Sequence, residues 1–405
     1  MLKRLLWTLG ILGGLALALV LLGPLLIPTA SQGGAAAPRD LARAESRFIR
    51  IPFPGTTGID IHYLAFDKEA TDRDLNIDKD LTADKGLAVA DNPAAGQDGP
   101  EETSQTTFLL LHGFTFNSFT WGPLLPFFAE VGRVLAYDQI PYGLSAKLTA
   151  ADWQGPNPYA KEAALEQLFA FMDAQGVGRA FLVGNSSGGT LAMEAALARP
   201  ERVAGLILVA PWVYARRPTM PAWVAELPQL RRLSLFIGRK LGEGVLLDYS
   251  YADPGRIPAE RRSLMTLHAQ ARDWDLAWGE LLDRSLSSPV TVSARLGELT
   301  LPVLLLSGDQ DKLVPLADTR RVAETLPNGT LAILAGCGHV PQEECPSQFE
   351  RVVTPWLQAQ GAPFAAPPVT SPMALAPDPK PADPASNGQS PPTMPMTSGA
   401  PALSN

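Results

Sequence analysis

Cysteine is almost missing from this chain of 405 residues: it occurs twice, as Cys337 and Cys345. So few thiols exclude a disulfide framework and a zinc centre built on cysteine. Two free, buried cysteines are expected, with a disulfide between them as the alternative if the domain is exported. Histidine is nearly as scarce, with His62, His112, His268 and His339 as the complete set. A reaction that needs an imidazole base therefore has few candidates. Charge is sparse as well. Charged residues make up 18% of the chain, and 33 Lys+Arg against 41 Asp+Glu leave a net charge of −8. That balance argues against nucleic acid as the main partner. Most of the excess sits between Asp67 and Thr107, where eleven acidic residues face four basic ones, so the rest of the chain is close to neutral. No internal repeat is visible.

What is present begins with a long apolar run. Lys3 and Arg4 precede Leu5 to Ile27, 23 residues without a charge, which is enough for a membrane-spanning helix. Residues 1–30 are therefore expected to be a retained signal anchor, a transmembrane helix with the catalytic part on the exported side. Cleavage near Thr29-Ala30-Ser31, giving a secreted protein, is the alternative. Residues 31–46 read as a linker rich in small residues. Residues 67–107, acidic and without an apolar period, read as a disordered insertion. Their D-R-D-L-N-I-D-K-D segment alternates acids but lacks the glycine and closing glutamate of an EF-hand loop. From Gly361 the chain holds twelve prolines in 45 residues, so residues 361–405 read as an extended, disordered tail.

Between these appendages, apolar strands alternate with helical patterns. Arg47–Pro54 and Ile59–Phe66 form a hairpin around a Gly/Thr turn. Strands follow at Thr107–Leu111, Arg133–Tyr137, Ala180–Val183, Val203–Val209, Leu301–Ser307 and Thr330–Leu334. Helices are expected near Tyr159–Gln175, after Ser186, at Leu316–Thr325 and at Pro346–Ala359. The alternation implies an α/β fold over residues 47–360, with a mostly parallel eight-stranded sheet and helices on both faces. Residues 212–300 break the pattern. They are helical, aromatic (Trp212, Tyr214, Trp223, Phe236, Tyr249, Tyr251, Trp274, Trp278) and read as a helical lid inserted after strand 6. Most of those aromatics should form the lid's own core, and some should line an apolar pocket.

The chemistry is centred on A-F-L-V-G-N-S-S-G-G, Ala180 to Gly189. A strand, a tight turn and a helix put Ser186 at the turn, in the pattern G-x-S-x-G formed with Gly184 and Gly188. That geometry lifts a serine hydroxyl over the end of a sheet. Ser187 is the rival nucleophile, but a register shifted by one puts Asn185 where glycine is wanted. A serine needs a base, and the base needs an orienting acid. His339, in the loop G-C-G-H after the last strand, is the base by elimination and position. The strand ending in S-G-D-Q-D-K-L-V-P offers Asp309 and Asp311. The G-x-x-D spacing before proline selects Asp311, leaving Asp309 to brace the turn. The backbone N–H groups of Phe114, after His112-Gly113, and of Ser187, at a helix start, are the candidate oxyanion donors. No metal and no organic cofactor enters this scheme.

The segments L-L-L-H-G-F, A-Y-D-Q-I-P-Y-G-L-S, L-V-G-N-S-S-G-G, L-L-S-G-D-Q-D-K-L-V-P and G-C-G-H-V-P-Q-E-E-C-P resemble the α/β-hydrolase superfamily in its lid-bearing branch. The chain order Ser186, Asp311, His339 is the order of that family. One departure is the Asp138–Ser145 loop, where Ile140-Pro141 replaces the usual Pro-Gly. The resemblance implies a carboxylesterase-like serine hydrolase for a small apolar ester or acyl substrate, which the N-terminal apolar run is expected to anchor in the membrane. It leaves open a carbon–carbon bond hydrolase acting on meta-cleavage products, a cofactor-free perhydrolase or haloperoxidase, and a catalytically silent binding protein. Haloalkane dehalogenases and epoxide hydrolases share the fold but use aspartate where this chain has Ser186.

Overall fold

The computed structural model describes residues 2–66, 106–214, 221–285 and 290–362. The acidic stretch 67–105 and the proline-rich tail from residue 363 lie outside the described residues.

Eight strands make one sheet: β1 (Ser46–Ile51), β2 (Ile59–Phe66), β3 (Thr107–Leu111), β4 (Arg133–Tyr137), β5 (Ala180–Asn185), β6 (Val203–Val209), β7 (Val303–Gly308) and β8 (Gly329–Leu334). Their spatial order is β1-β2-β4-β3-β5-β6-β7-β8. The β1–β2 and β2–β4 pairs are antiparallel, and every later pair is parallel. The central strands T-F-L-L-L and A-F-L-V-G-N are buried at every position, as expected where helices cover both faces of a parallel sheet. One apolar layer is built around Leu109, Leu111, Leu182 and Leu208, the other around Phe108, Leu110, Val183 and Phe349. The alternation of these numbers along each strand follows from the two-residue period of β structure. Crossover order reverses beside β3, so the carboxyl ends of β3 and β5 open a crevice of the kind that receives ligands in such sheets.

The described residues between β6 and β7 hold short helices, the longest among them being Pro228–Gly242 and Trp274–Ser285. Their aromatics divide. Trp274, Trp278 and Tyr251 are buried, whereas Trp223, Phe236 and Tyr249 are exposed. His268 stacks on Trp278 with ring centroids 4.9 Å apart, and Tyr142 meets Trp278 edge-on at 5.3 Å.

Leu2–Leu22 is one helix of 21 residues, but Gly23-Pro24 ends it and a 3-10 turn, Gly23–Leu26, follows. Proline cannot continue a helix interior, so the helix stops five residues before the apolar run ends at Ile27. Among the described residues no helix is long and apolar enough to cross a membrane, and the expected transmembrane anchor is not supported. Residues 28–32, which straddle the end of the expected anchor and the start of the expected linker, are fastened to the insertion. Arg239 donates to the carbonyls of Pro28 and Ala30 at 2.9 and 2.8 Å and pairs with Asp275 at 2.8 Å. Asp275 in turn accepts from Ser31 Oγ and the N–H of Gln32, both at 2.8 Å. A buried guanidinium needs acceptors on all sides, and the backbone of this segment supplies them.

Candidate active site

Ser186 lies between the last residue of β5 and the helix Ser187–Ala198. Its backbone has φ 55° and ψ −118°, a left-handed conformation that is costly for any residue with a Cβ. The turn is pinned on both sides. The Ser186 N–H donates to Val209 at 2.9 Å, and its carbonyl accepts from Gly189 at 3.0 Å and Trp212 at 3.1 Å. The flanking glycines are there for space. A Cβ on Gly184 would stand 2.5 Å from the Gly188 carbonyl, and one on Gly188 would collide with the carbonyl of Leu111.

The acid and base come from the ends of β7 and β8. Asp311 Oδ2 lies 2.8 Å from His339 Nδ1. Its other oxygen accepts from the N–H groups of Leu313 and Val314 at 2.8 and 2.9 Å, so the carboxylate cannot swing away. Asp309 faces elsewhere and accepts from the N–H of Gly336 at 2.7 Å. His339 is 3% exposed. Its backbone carbonyl is tied to the nucleophile turn, because Asn185 Nδ2 donates to it at 3.0 Å. Among the described residues Ser186 Oγ and His339 make no hydrogen bond. The structure therefore brings Asp311 to His339 and the His339 loop to the Ser186 turn.

The candidate oxyanion donors stand beside Ser186. A Cβ placed on Gly113 would be 3.1 Å from Ser186 Cβ, which measures how close the loop bearing Phe114 comes. Neither Phe114 nor Ser187 spends its backbone N–H on a hydrogen bond among the described residues. Two unspent donors near one serine, one of them at a helix N-terminus, suit a developing negative charge.

Two supports of this site carry no strong sequence signal. The His339 turn is closed by a Cys337–Cys345 disulfide, which corrects the expectation of free thiols. The turn and the short helix Pro341–Glu344 reverse the chain and bring the two Cα atoms to 6.2 Å, within bonding range for cystine. Glu344, 7% exposed, accepts from Gly338 at 2.7 Å and from Ala252 and Asp253 of the insertion at 3.0 and 3.3 Å. The His339 N–H donates to Ser250 at 2.7 Å, and Lys312 reaches the carbonyls of Tyr251 and Ala252 at 3.1 and 3.0 Å. Residues 250–253 thus brace the acid and base loops together. The pair E-E after G-H-V-P-Q is the only hint of this in the sequence.

A second Ser-His-Asp relay exists. His62 joins Asp138 at 2.7 Å and Ser46 Oγ at 2.8 Å. His62 and Asp138 are fully buried, and Asp138 also accepts from the N–H groups of Ser118 and Leu144. Ser46 lies in an ordinary extended strand and accepts from Arg43. The relay fastens the antiparallel edge to the loop after β4, whose Ile140–Pro141 peptide is cis.

A strained serine on a strand-to-helix turn, an Asp–His pair across two loops and this sheet order define a hydrolase architecture. The chain belongs to the alpha/beta hydrolase family, which it matches over residues 108–352. It is 28% identical over 271 residues to a putative carbamate hydrolase of Caulobacter sp. (strain K31), covering 65% of this chain and 94% of that one. It is 28% identical over 239 residues to a 2-hydroxymuconate semialdehyde hydrolase of Pseudomonas putida, covering 56% and 78%. Among solved structures, a thermophilic esterase of Thermogutta terrifontis superposes with a TM-score of 0.55 at 19% identity, covering 78% of this chain and 99% of that one. At that identity the likeness speaks for the fold. Hydrolysis is the activity that these names share.

Proposed function

We propose that this protein is a serine hydrolase that cleaves an ester or related acyl bond through an acyl-enzyme. The observation that carries the reading is the 2.8 Å Asp311–His339 bond held against the strained Ser186 turn. Ser186 Oγ attacks the acyl carbon as His339 Nε2 takes its proton, and Asp311 stabilises the resulting imidazolium through Nδ1–H. The oxyanion is received by the N–H groups of Phe114 and Ser187. His339 then protonates the leaving group, and a water activated by the same imidazole clears the acyl-enzyme. No step draws on a metal or organic cofactor. Residues 212–300 act as a lid over this centre, supported by the bracing of both loops through Ser250–Asp253. The catalytic domain works in an oxidising, exported compartment, a location supported by the disulfide beside the base.

The kinship with a 2-hydroxymuconate semialdehyde hydrolase favours carbon–carbon bond hydrolysis as the second reading. A panel of p-nitrophenyl esters run beside a meta-cleavage dienone separates the two. Ester turnover that exceeds dienone turnover and vanishes in Ser186→Ala is expected. Turnover of the dienone alone would move the assignment to the second reading.

A further inference from the structure

A cavity of about 190 Å³ borders the two oxyanion donors, with Phe114 and Ser187 in its wall. From Ser187 it follows the helix through Thr190 and Leu191 to Glu194, the i, i+3, i+4, i+7 face. That path is about 10 Å long at 1.5 Å per residue. A substrate whose carbonyl lies at Ser186 would extend along it.

Two polar side chains in this wall are poorly used. Gln167 is 1% exposed, its Oε1 accepts from the N–H of Ile140 at 3.4 Å, and its Nε2 has no partner. Glu194 is 5% exposed and makes no hydrogen bond among the described residues. Its ion pair with the half-exposed Lys161 is loose at 3.6 Å. The wall therefore holds a buried donor without a partner, Gln167 Nε2, and a carboxylate, Glu194, with acceptor capacity to spare, beside the cavity. Buried polar groups normally find partners. A hydrocarbon chain would satisfy neither. A carboxylate would meet the charge of Glu194. An ammonium would compete with Lys161 and has no acceptor to offer Gln167.

We propose that the part of the substrate filling this cavity carries a neutral group that both donates and accepts hydrogen bonds. An amide does so at two separate atoms, with its N–H given to Glu194 and its carbonyl receiving Gln167 Nε2. The assignment rests on the serine-hydrolase reading and replaces its wholly apolar acyl substrate with an amide-bearing one.

The test compares two p-nitrophenyl esters of equal chain length, one an alkanoate and one with a secondary amide toward the far end. The amide ester should have the higher kcat/KM by about tenfold or more, because a site built to hydrogen-bond its substrate discriminates strongly against an analogue lacking the group. Gln167→Leu and Glu194→Leu should each pull that ratio toward one. The wild-type ratio needs no variant, so a misfolded substitution leaves the test intact. A wild-type ratio at or below one, or a preference that survives both substitutions in folded protein, overturns the proposal alone. Failure to hydrolyse either ester ends the serine-hydrolase reading and this one with it.

Discussion

At the scale of single residues, the site depends on a few side chains held against their own preferences. Ser186 occupies a backbone region that costs on the order of 1–3 kcal/mol, and its turn persists because Val209, Gly189 and Trp212 all bond to it. Glu344 does the comparable work for the base. It collects three N–H groups, one next to His339 and two from the insertion, and so acts as a positioning residue. Glu344→Gln keeps the size but turns part of the acceptor into a donor. It should lower kcat about tenfold with little change in KM, since a displaced base slows the chemical step more than binding. Steady-state kinetics checks this. A rise in KM at constant kcat would show that Glu344 serves the pocket instead.

At the scale of elements, the strand-turn-helix around Ser186 was legible because glycine, apolar period and helix composition all point the same way there. Asp311 and His339 were legible for a different reason: strand ends are easy to locate, and the chain has few histidines to choose among. The supports were not. Asn185 reads as part of the turn, and nothing local says that its amide reaches the carbonyl of His339, 154 residues away. The cystine stands only as the alternative to free thiols in the sequence, because pairing depends on whether the chain reverses between Cys337 and Cys345, a tertiary fact. Closing so short a loop by a disulfide stabilises it by about 2–3 kcal/mol on the chain-entropy account. Reduction with dithiothreitol, or Cys337→Ala, should therefore loosen the His339 turn and reduce ester turnover several-fold. Activity and free-thiol titration followed together test it. Full reduction with unchanged turnover would remove the disulfide from the account of the site.

At the scale of the whole molecule, the N-terminal segment, the insertion and the catalytic loops form one chain of contacts. Arg239 and Asp275 fix residues 28–32 to the insertion, and residues 250–253 fix the insertion to the loops of Asp311 and His339. Within the insertion, burial pushes the His268 imidazole down to about 3. His112 is also lowered, by burial. Each is held neutral in the fold, whereas the unfolded chain takes up a proton below pH about 6.5. The unfolded state then binds more protons, so stability is complete above that pH and declines as pH falls toward about 3. Thermal melts should show Tm dropping through this window, with a shallower slope for His268→Phe. An equal slope in the variant would contradict the assignment. The central claim is that Ser186, and neither Ser187 nor Ser46 in its own relay, is the reactive alcohol. The most direct measurement is fluorophosphonate labelling followed by peptide mass mapping. The account predicts one adduct, on Ser186, absent in Ser186→Ala and sharply reduced in His339→Ala. Folded wild-type protein that takes no label, or carries it on another serine, would contradict it.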